Sequence, residues 1–163
     1  MTTAAASPFK ALDACHLQIQ QQVTELHRMA KHMESAGLND ADRKLAGQIE
    51  AFFSSTSRAH HAQEEAQVFP QLLASGDAEL VAAVRSLQQD HGFIEENWIV
   101  LGPQLRAIAE GNDWFTAEEF QSNVATFLGL LNDHIALEET LIYPESKAQW
   151  AAAVAGRKAR TAA

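Results

Sequence analysis

The sequence predicts an all-α protein, an antiparallel up-and-down bundle of four helices. Apolar residues recur at spacings of three and four along most of the 163 residues, which is the periodicity of amphipathic helices. Three short stretches, ESAGLND, SGD and GND, interrupt this periodicity. Short connections between long helices make neighbours antiparallel, so the pattern favours a bundle.

Start signals support the individual helices. Helix one begins at Ser7-Pro8, because serine caps helices and proline fits the first helical position. Helix two is expected over about residues 40 to 74 and helix three over about 77 to 110, while helix four opens with the capping-box pattern of Thr116 and Glu119. We expect one domain over residues 1–163, with its core over about 8–145. The Ala-rich tail, 146–163, is expected to add a short C-terminal helix.

Composition excludes several classes of function. The net charge of -9 argues against a nucleic-acid partner and against binding to an anionic membrane surface. No apolar run approaches the roughly 20 residues of a spanning helix, and the N-terminus MTTAAASPFK lacks the features of a signal peptide. Cys15 is the single cysteine, so no intrachain disulfide can form. We therefore expect a cytoplasmic protein.

Ionisable residues interrupt the apolar stripe of every predicted helix. The interior of a bundle is normally aliphatic, because a buried imidazole or carboxylate is costly unless it is paired or binds a metal. Helix one contributes one histidine, and each of the other three contributes a histidine followed four residues later by a glutamate. The residues are His16, His60, Glu64, His91, Glu95, His134 and Glu138.

The four histidines are predicted to lie at one depth in the bundle. In an antiparallel pair of helices, residues equally far from the turn lie side by side. Measured from turns near residues 37–38, 75–76 and 113, the histidines of successive helices match within about one residue, on the order of 1 to 2 Å along the helix axis. Three connections therefore bring four histidines into one layer.

An internal repeat supports the same arrangement. The segment RAHHAQEEAQVFP, 58–70, aligns with NDHIALEETLIYP, 132–144. His60 and Glu64 then match His134 and Glu138, whereas His61 matches Ile135. Because consecutive residues lie about 100° apart around a helix, we assign His60 and Glu64 to the interior. We expect His61 to flank the site or to support a ligand from outside.

The residue types suggest a two-metal site. Nitrogen and oxygen ligands without thiolate suit iron or manganese better than a structural zinc. In two-metal carboxylate bundles a glutamate can bridge both ions while histidines complete each one, and Glu64 and Glu138 occupy opposite helices. His16 and His60 would then bind one ion, and His91, Glu95 and His134 the other. The repeat has Gln20 where Glu95 stands, so Glu95 is expected either as a ligand or as a neighbour of the ligands.

These motifs resemble the hemerythrin-like, HHE cation-binding domain family. The resemblance rests on His16 and on HHAQEE, DHGFIEE and DHIALEE, and it extends over about residues 8–145. It implies a four-helix bundle with two non-haem irons joined by an oxo or hydroxo bridge. The positions that match are His16, His60, Glu64, His91, His134 and Glu138.

The resemblance implies reaction with, or binding of, O2, peroxide or nitric oxide. Oxygen-carrying members have a histidine where this chain has Glu95, and an aspartate after a five-residue step where it has Glu138. An additional anionic ligand would favour ferric iron, so we expect stress-related chemistry or sensing rather than oxygen carriage. The alternatives are a non-catalytic iron or redox sensor and a protein that donates iron to damaged iron–sulfur clusters.

Overall fold

The computed structural model describes residues 7 to 161, and nearly all of this range is helical. Four rods, antiparallel in sequence order, form the bundle, which confirms the predicted fold class. The first rod is one helix, the second and fourth rods are each interrupted by a π-helical turn, and the third is one helix. The helices are α1 Phe9–Ala36, α2 Asp40–Ala51, α3 Ser57–Gln67, α4 Phe69–Leu73, α5 Ala78–Glu110, α6 Ala117–Leu137 and α7 Tyr143–Thr161, and the π-helical turns are Phe52–Thr56 and Glu138–Ile142.

The ends of the helices follow local chemistry. Thr116 and Glu119 form the predicted capping box of α6, and Asn39 forms a second one with Asp42 at the start of α2. The three interhelical turns contain Gly37, Gly76 and Gly111, all with φ between 73° and 79°. Glycine adopts this left-handed region without the steric cost that a Cβ atom brings.

The fourth rod is longer than the sequence predicted. Its C-terminal helix α7 has 19 residues and follows directly on the π-helical turn. Pro144 lies in the first turn of α7 and Pro70 in the first turn of α4. Proline needs no backbone N–H partner in a first turn, so both prolines begin a helix rather than interrupt one.

Two apolar clusters fill the interior, and the polar layer lies between them. One cluster contains Ile19, Phe53 and Phe127, and the other contains Leu12 and Leu87. On every rod the predicted ligands fall between a residue of one cluster and a residue of the other. The site is therefore enclosed above and below by packed hydrocarbon. No helix between residues 7 and 161 has the length and hydropathy required to cross a membrane.

Candidate metal centre

Each rod contributes side chains to one buried polar layer. His16 comes from α1, His91 from α5 and His134 from α6. Glu64 comes from α3, and Glu138 is the first residue of the second π-helical turn. All five side chains are buried, and both glutamates have no solvent exposure.

The ligand atoms form two groups that share Glu64. Within each group the candidate atoms lie within 4.8 Å of one another. The first group is His16, His60, Glu64 and Glu138, and the second is His61, Glu64, His91 and His134. Because Glu64 belongs to both groups, it is placed to bridge two ions.

The two oxygens of Glu64 face different groups. Oε1 lies 3.2 Å from Nε2 of His60, in the first group, and Oε2 lies 3.5 Å from Nε2 of His91, in the second. Glu138 is arranged in the same way, with Oε2 3.0 Å from Nε2 of His16 and Oε1 3.1 Å from Nε2 of His134. Both carboxylates therefore extend from one group to the other.

Many of these buried atoms lack hydrogen-bond geometry to any partner. Burying polar atoms without partners costs about 1 to 3 kcal/mol each, so their concentration at one depth indicates a site built to hold an ion. The buried atoms without a hydrogen-bond partner in this layer are Nε2 of His16 and His91, both ring nitrogens of His60 and His134, Oε2 of Glu64 and both oxygens of Glu138. A set of imidazole nitrogens and carboxylate oxygens fits a transition metal such as iron.

The buried imidazoles and carboxylates of this layer shift one another's pKa values. Burial lowers the pKa of His16, but contacts with Glu138 and Glu64 raise it to about 9. Burial also lowers the pKa of His60, but the Cys15 side chain and Glu64 raise it to about 10. Burial would raise the pKa of the Glu64 carboxyl, but the surrounding histidines hold it well below its usual range. Protons on these imidazoles therefore compensate for the carboxylates.

The comparison with protein families agrees with this geometry. The family model of the hemerythrin HHE cation binding domain matches residues 7–146. The chain belongs to the hemerythrin HHE cation-binding domain family. The match includes every residue of the two groups, and it ends within α7.

One relative extends the comparison without adding a known activity. An uncharacterized protein of Haemophilus influenzae (strain Rd) is 27% identical over 134 residues, which cover 82% of this chain and 76% of the relative. Family membership and the His/Glu groups together make this chain a hemerythrin-like metal-binding protein.

The residues of the two ligand groups together form the HHE site. Six of the seven predicted ligands are brought together there, and Glu95 is not. Its side chain is 39% exposed and pairs with Arg58, whose Nη2 lies 2.7 Å from Oε2 of Glu95. Glu95 is absent from both ligand groups. Glu95 follows His91 by four positions on α5, which leaves it offset around the helix, and its carboxylate pairs with the basic Arg58 on α3.

His61 lies inside the HHE site, which corrects the prediction that it flanks the site. Its side chain is buried, and its ring stacks on that of His91 with centroids 4.2 Å apart. The inner residue of α3 is Glu64, and positions three and four residues before it lie on either side of the same helix face. His60 and His61 therefore both face inward, one to each group. Burial and the nearby His91 lower the pKa of His61 to about 2.

Two further glutamates orient histidines of the HHE site. Oε1 of Glu65 accepts from Nδ1 of His91 at 2.9 Å, and Oε1 of Glu139 lies 3.3 Å from Nδ1 of His16. A carboxylate on the second ring nitrogen fixes the orientation of a histidine ligand and increases its basicity. The repeated Glu-Glu pair was the sequence signal: in each pair the first glutamate faces the site and the second supports a histidine of another helix.

Tyr143 also contacts the HHE site, although the sequence did not identify it. Its hydroxyl donates a hydrogen bond to Oε1 of Glu64, and its ring stacks on His16 with centroids 4.7 Å apart. At the equivalent position of the repeat, Phe69 stacks on His91. The repeat therefore places one aromatic ring against each of these two histidines, and only Tyr143 carries a hydroxyl.

Proposed function

We propose that this protein binds two non-haem iron ions with an oxo or hydroxo bridge, and that it reacts with peroxide, O2 or nitric oxide. The observation that carries the proposal is the position of the two buried carboxylates. Glu64 and Glu138 each extend from the first ligand group to the second. Two ions bridged by these carboxylates would account for most of the buried atoms without partners.

The proposed ligand set is five histidines and two glutamates. His16 and His60 would hold one ion, while His61, His91 and His134 would hold the other. Histidine and carboxylate ligands stabilise both ferrous and ferric iron, and the iron pair, when bound, supplies the electrons for reduction of peroxide or O2. With His61 in place of Glu95 there is no third anionic ligand, so our argument from charge against reversible O2 binding no longer applies.

A cleft gives small molecules an approach to the first group. It lies between α1 and α3, has a volume of about 390 Å³, and is lined by residues that include Cys15, Gln18 and His60. Packed hydrocarbon lies above and below the site, so larger molecules are restricted. This combination supports reaction with a diatomic gas or peroxide rather than with an extended substrate.

Iron sensing is the second candidate, and the buried ionisable groups without hydrogen-bond partners are the observation that favours it. Several buried ionisable groups share one depth without hydrogen-bond partners. A ligand that binds only the folded state stabilises it by mass action. Loss of iron would then expose the chain to local unfolding, which a protein partner or protease could detect.

The cellular setting is also a proposal. We infer a cytoplasmic protein without a nucleic-acid or membrane partner. The net charge of -9 and the single cysteine support this inference.

The test is a rapid-mixing experiment on protein loaded anaerobically with ferrous iron. Separate mixing with peroxide, O2 and nitric oxide, followed by optical absorption, identifies the reactive molecule. We expect at least one of them to react faster with the loaded protein than with the same ferrous iron in buffer. Glu64→Ala is the control, because it removes a bridge. Equal rates for the protein, the variant and free iron would contradict the proposal.

A further inference from the structure

Tyr143 is the single tyrosine of the chain, and its surroundings are unusual for a residue that only fills space. The side chain is 2% exposed. Its hydroxyl bonds to Glu64, the carboxylate shared by both ligand groups. Its ring lies nearly parallel to that of His16, at an interplanar angle of 10°. One side chain thus contacts one ligand through hydrogen bonding and another through stacking.

This geometry meets the requirements for oxidation of a phenol. A neutral phenol that loses an electron must also lose its proton, so a hydrogen-bonded base is needed. Oε1 of Glu64 accepts that hydrogen bond and passes the proton on to the reacting peroxide, so the carboxylate remains free to hold an ion, and the buried position keeps the phenol away from bulk water. Stacking on His16 provides a short route for the electron. Phe69, which stacks on His91 in the other half of the repeat, has no hydroxyl and cannot act in this way.

We propose that Tyr143 donates one electron to the metal centre when peroxide reacts at a half-reduced site, an inference that rests on the proposed di-iron function. Reduction of peroxide to two waters breaks the O–O bond and takes two electrons and two protons. Two ferrous ions supply both electrons when the centre is fully reduced. When only one ion is ferrous, a second donor is required.

The step balances with Tyr143 as that donor. The iron that the two ligand groups would hold would supply one electron. Tyr143 gives the second electron and becomes a neutral tyrosyl radical. Its phenolic proton passes along the hydrogen bond to Glu64 and on to one peroxide oxygen, and solvent supplies the proton for the other oxygen. The two oxygens of peroxide leave as two waters, so no hydroxyl radical is released beside the ligands.

The test uses full-length protein with two bound irons, reduced by one electron per chain and then mixed with peroxide. Samples frozen at short times are measured by electron paramagnetic resonance. We expect an organic radical whose spectrum narrows when the protein is produced with ring-deuterated tyrosine, because the label enters only position 143. In Tyr143→Phe the tyrosyl signal is absent, and the peroxide consumed per ferrous ion falls by about half, since each peroxide then needs two ferrous ions.

A second variant tests whether the radical depends on where the tyrosine lies. Tyr143→Phe combined with Phe9→Tyr moves the phenol to a neighbouring ring, whose centroid lies 6.2 Å from that of Tyr143. We expect it to give no tyrosyl radical. Helical circular dichroism and iron content check that both variants fold. Phe69, which stacks on His91, shows that a phenyl ring fits beside a histidine of this layer.

The outcomes distinguish this inference from the function on which it rests. Two bound irons and rapid peroxide consumption without a label-sensitive radical would overturn the role of Tyr143 and leave the proposed function intact. An equal radical yield in the double variant, or a radical on tryptophan alone, would also overturn it. Failure of the wild-type protein to bind iron would overturn both.

Discussion

The guanidinium group of Arg58 binds the carboxylate of Glu95 through two nitrogens, with Nε 2.9 Å from Oε2 and Nη2 2.7 Å from the same oxygen. The pair lies at the surface between α3 and α5. Glu95 is the one predicted ligand that the structure does not bring to the site. The buried ring of His61 lies close to His91 and His134 instead. Which of the two residues binds metal is therefore a direct question for mutagenesis.

Replacement of Glu95 is expected to leave the metal content unchanged. Glu95→Ala removes one partner of an exposed ion pair, and such pairs contribute about 0 to 1 kcal/mol. His61→Ala should lose one ion of the two, or bind it much more weakly. Metal analysis of both variants after identical loading checks this. A loss of iron in Glu95→Ala with none in His61→Ala would restore the ligand set predicted from the sequence.

Either bridging carboxylate is expected to be essential for both ions. Glu64→Ala and Glu138→Ala should each bind at most one ion weakly, because each carboxylate reaches both ligand groups. Glu96→Ala is the matched control, since Glu96 is an exposed glutamate on α5. Retention of two tightly bound ions in either bridge variant would show that the carboxylate does not bridge.

Glu65 and Glu139, which support histidine ligands, are expected to change the affinity for metal but not the number of ions bound. Glu65→Gln and Glu139→Gln weaken the acceptors on Nδ1 of His91 and His16. Loss of such partners typically lowers metal affinity by about 10- to 100-fold. Competition with a chelator of known affinity measures the change. Unchanged affinity in both variants would indicate that the ring orientations are set by packing alone.

Stability of the metal-free protein should decrease as the pH rises above about 6.5. The pKa of His16 is raised to about 9 and that of His60 to about 10, from 6.5 in the unfolded chain. The folded protein therefore holds protons that the unfolded chain has released, so their stabilisation is complete below pH 6.5 and is lost toward pH 10. Each group should lower the melting temperature by about 3 °C per pH unit in this range.

The stability of the metal-free protein should also decrease as the pH falls below about 6.5. The pKa of His61 is lowered to about 2, so its contribution is complete above pH 6.5 and decreases as the pH falls and the unfolded chain takes up the proton. Calorimetry of chelator-treated protein from pH 4 to 10 should show a maximum near neutrality. Glu64→Gln combined with Glu138→Gln removes the two carboxylates that raise the pKa of His16 but leaves Cys15 beside His60, so it should reduce the alkaline decrease without abolishing it. A wild-type melting temperature that is constant from pH 6.5 to 10 would contradict the charge pairing.

The sequence predicted the fold and the depth of the site because both depend on periodicity and turn positions. Helical spacing, three turns and one repeat were sufficient to bring His16, His60, His91 and His134 into one layer. The orientation of side chains within that layer was harder to predict. His61 was predicted to lie outside the site because His60 was assigned to the centre of the inward face of the helix. Glu64 is the centre of that face, and His60 and His61 lie on either side of it.

Contacts between helices account for the remaining differences. Glu95 has suitable spacing on its own helix, but the position of Arg58 on α3 decides where its carboxylate lies. Tyr143 and Glu139 act on His16, which is far away in the sequence. The repeat aligned Glu65 with Glu139 and Phe69 with Tyr143, but alignment does not reveal which helix a side chain reaches. Such contacts require the packed bundle.

The number and coupling of bound irons test the central claim most directly. Metal-free protein is titrated anaerobically with ferrous iron, exposed to air and measured by Mössbauer spectroscopy with quantitative metal analysis. The two ligand groups and their shared carboxylates predict saturation at two irons per chain and one diamagnetic, coupled diferric centre. Saturation at a single iron, or two ferric ions that behave as magnetically independent centres, would contradict a bridged pair held by Glu64 and Glu138.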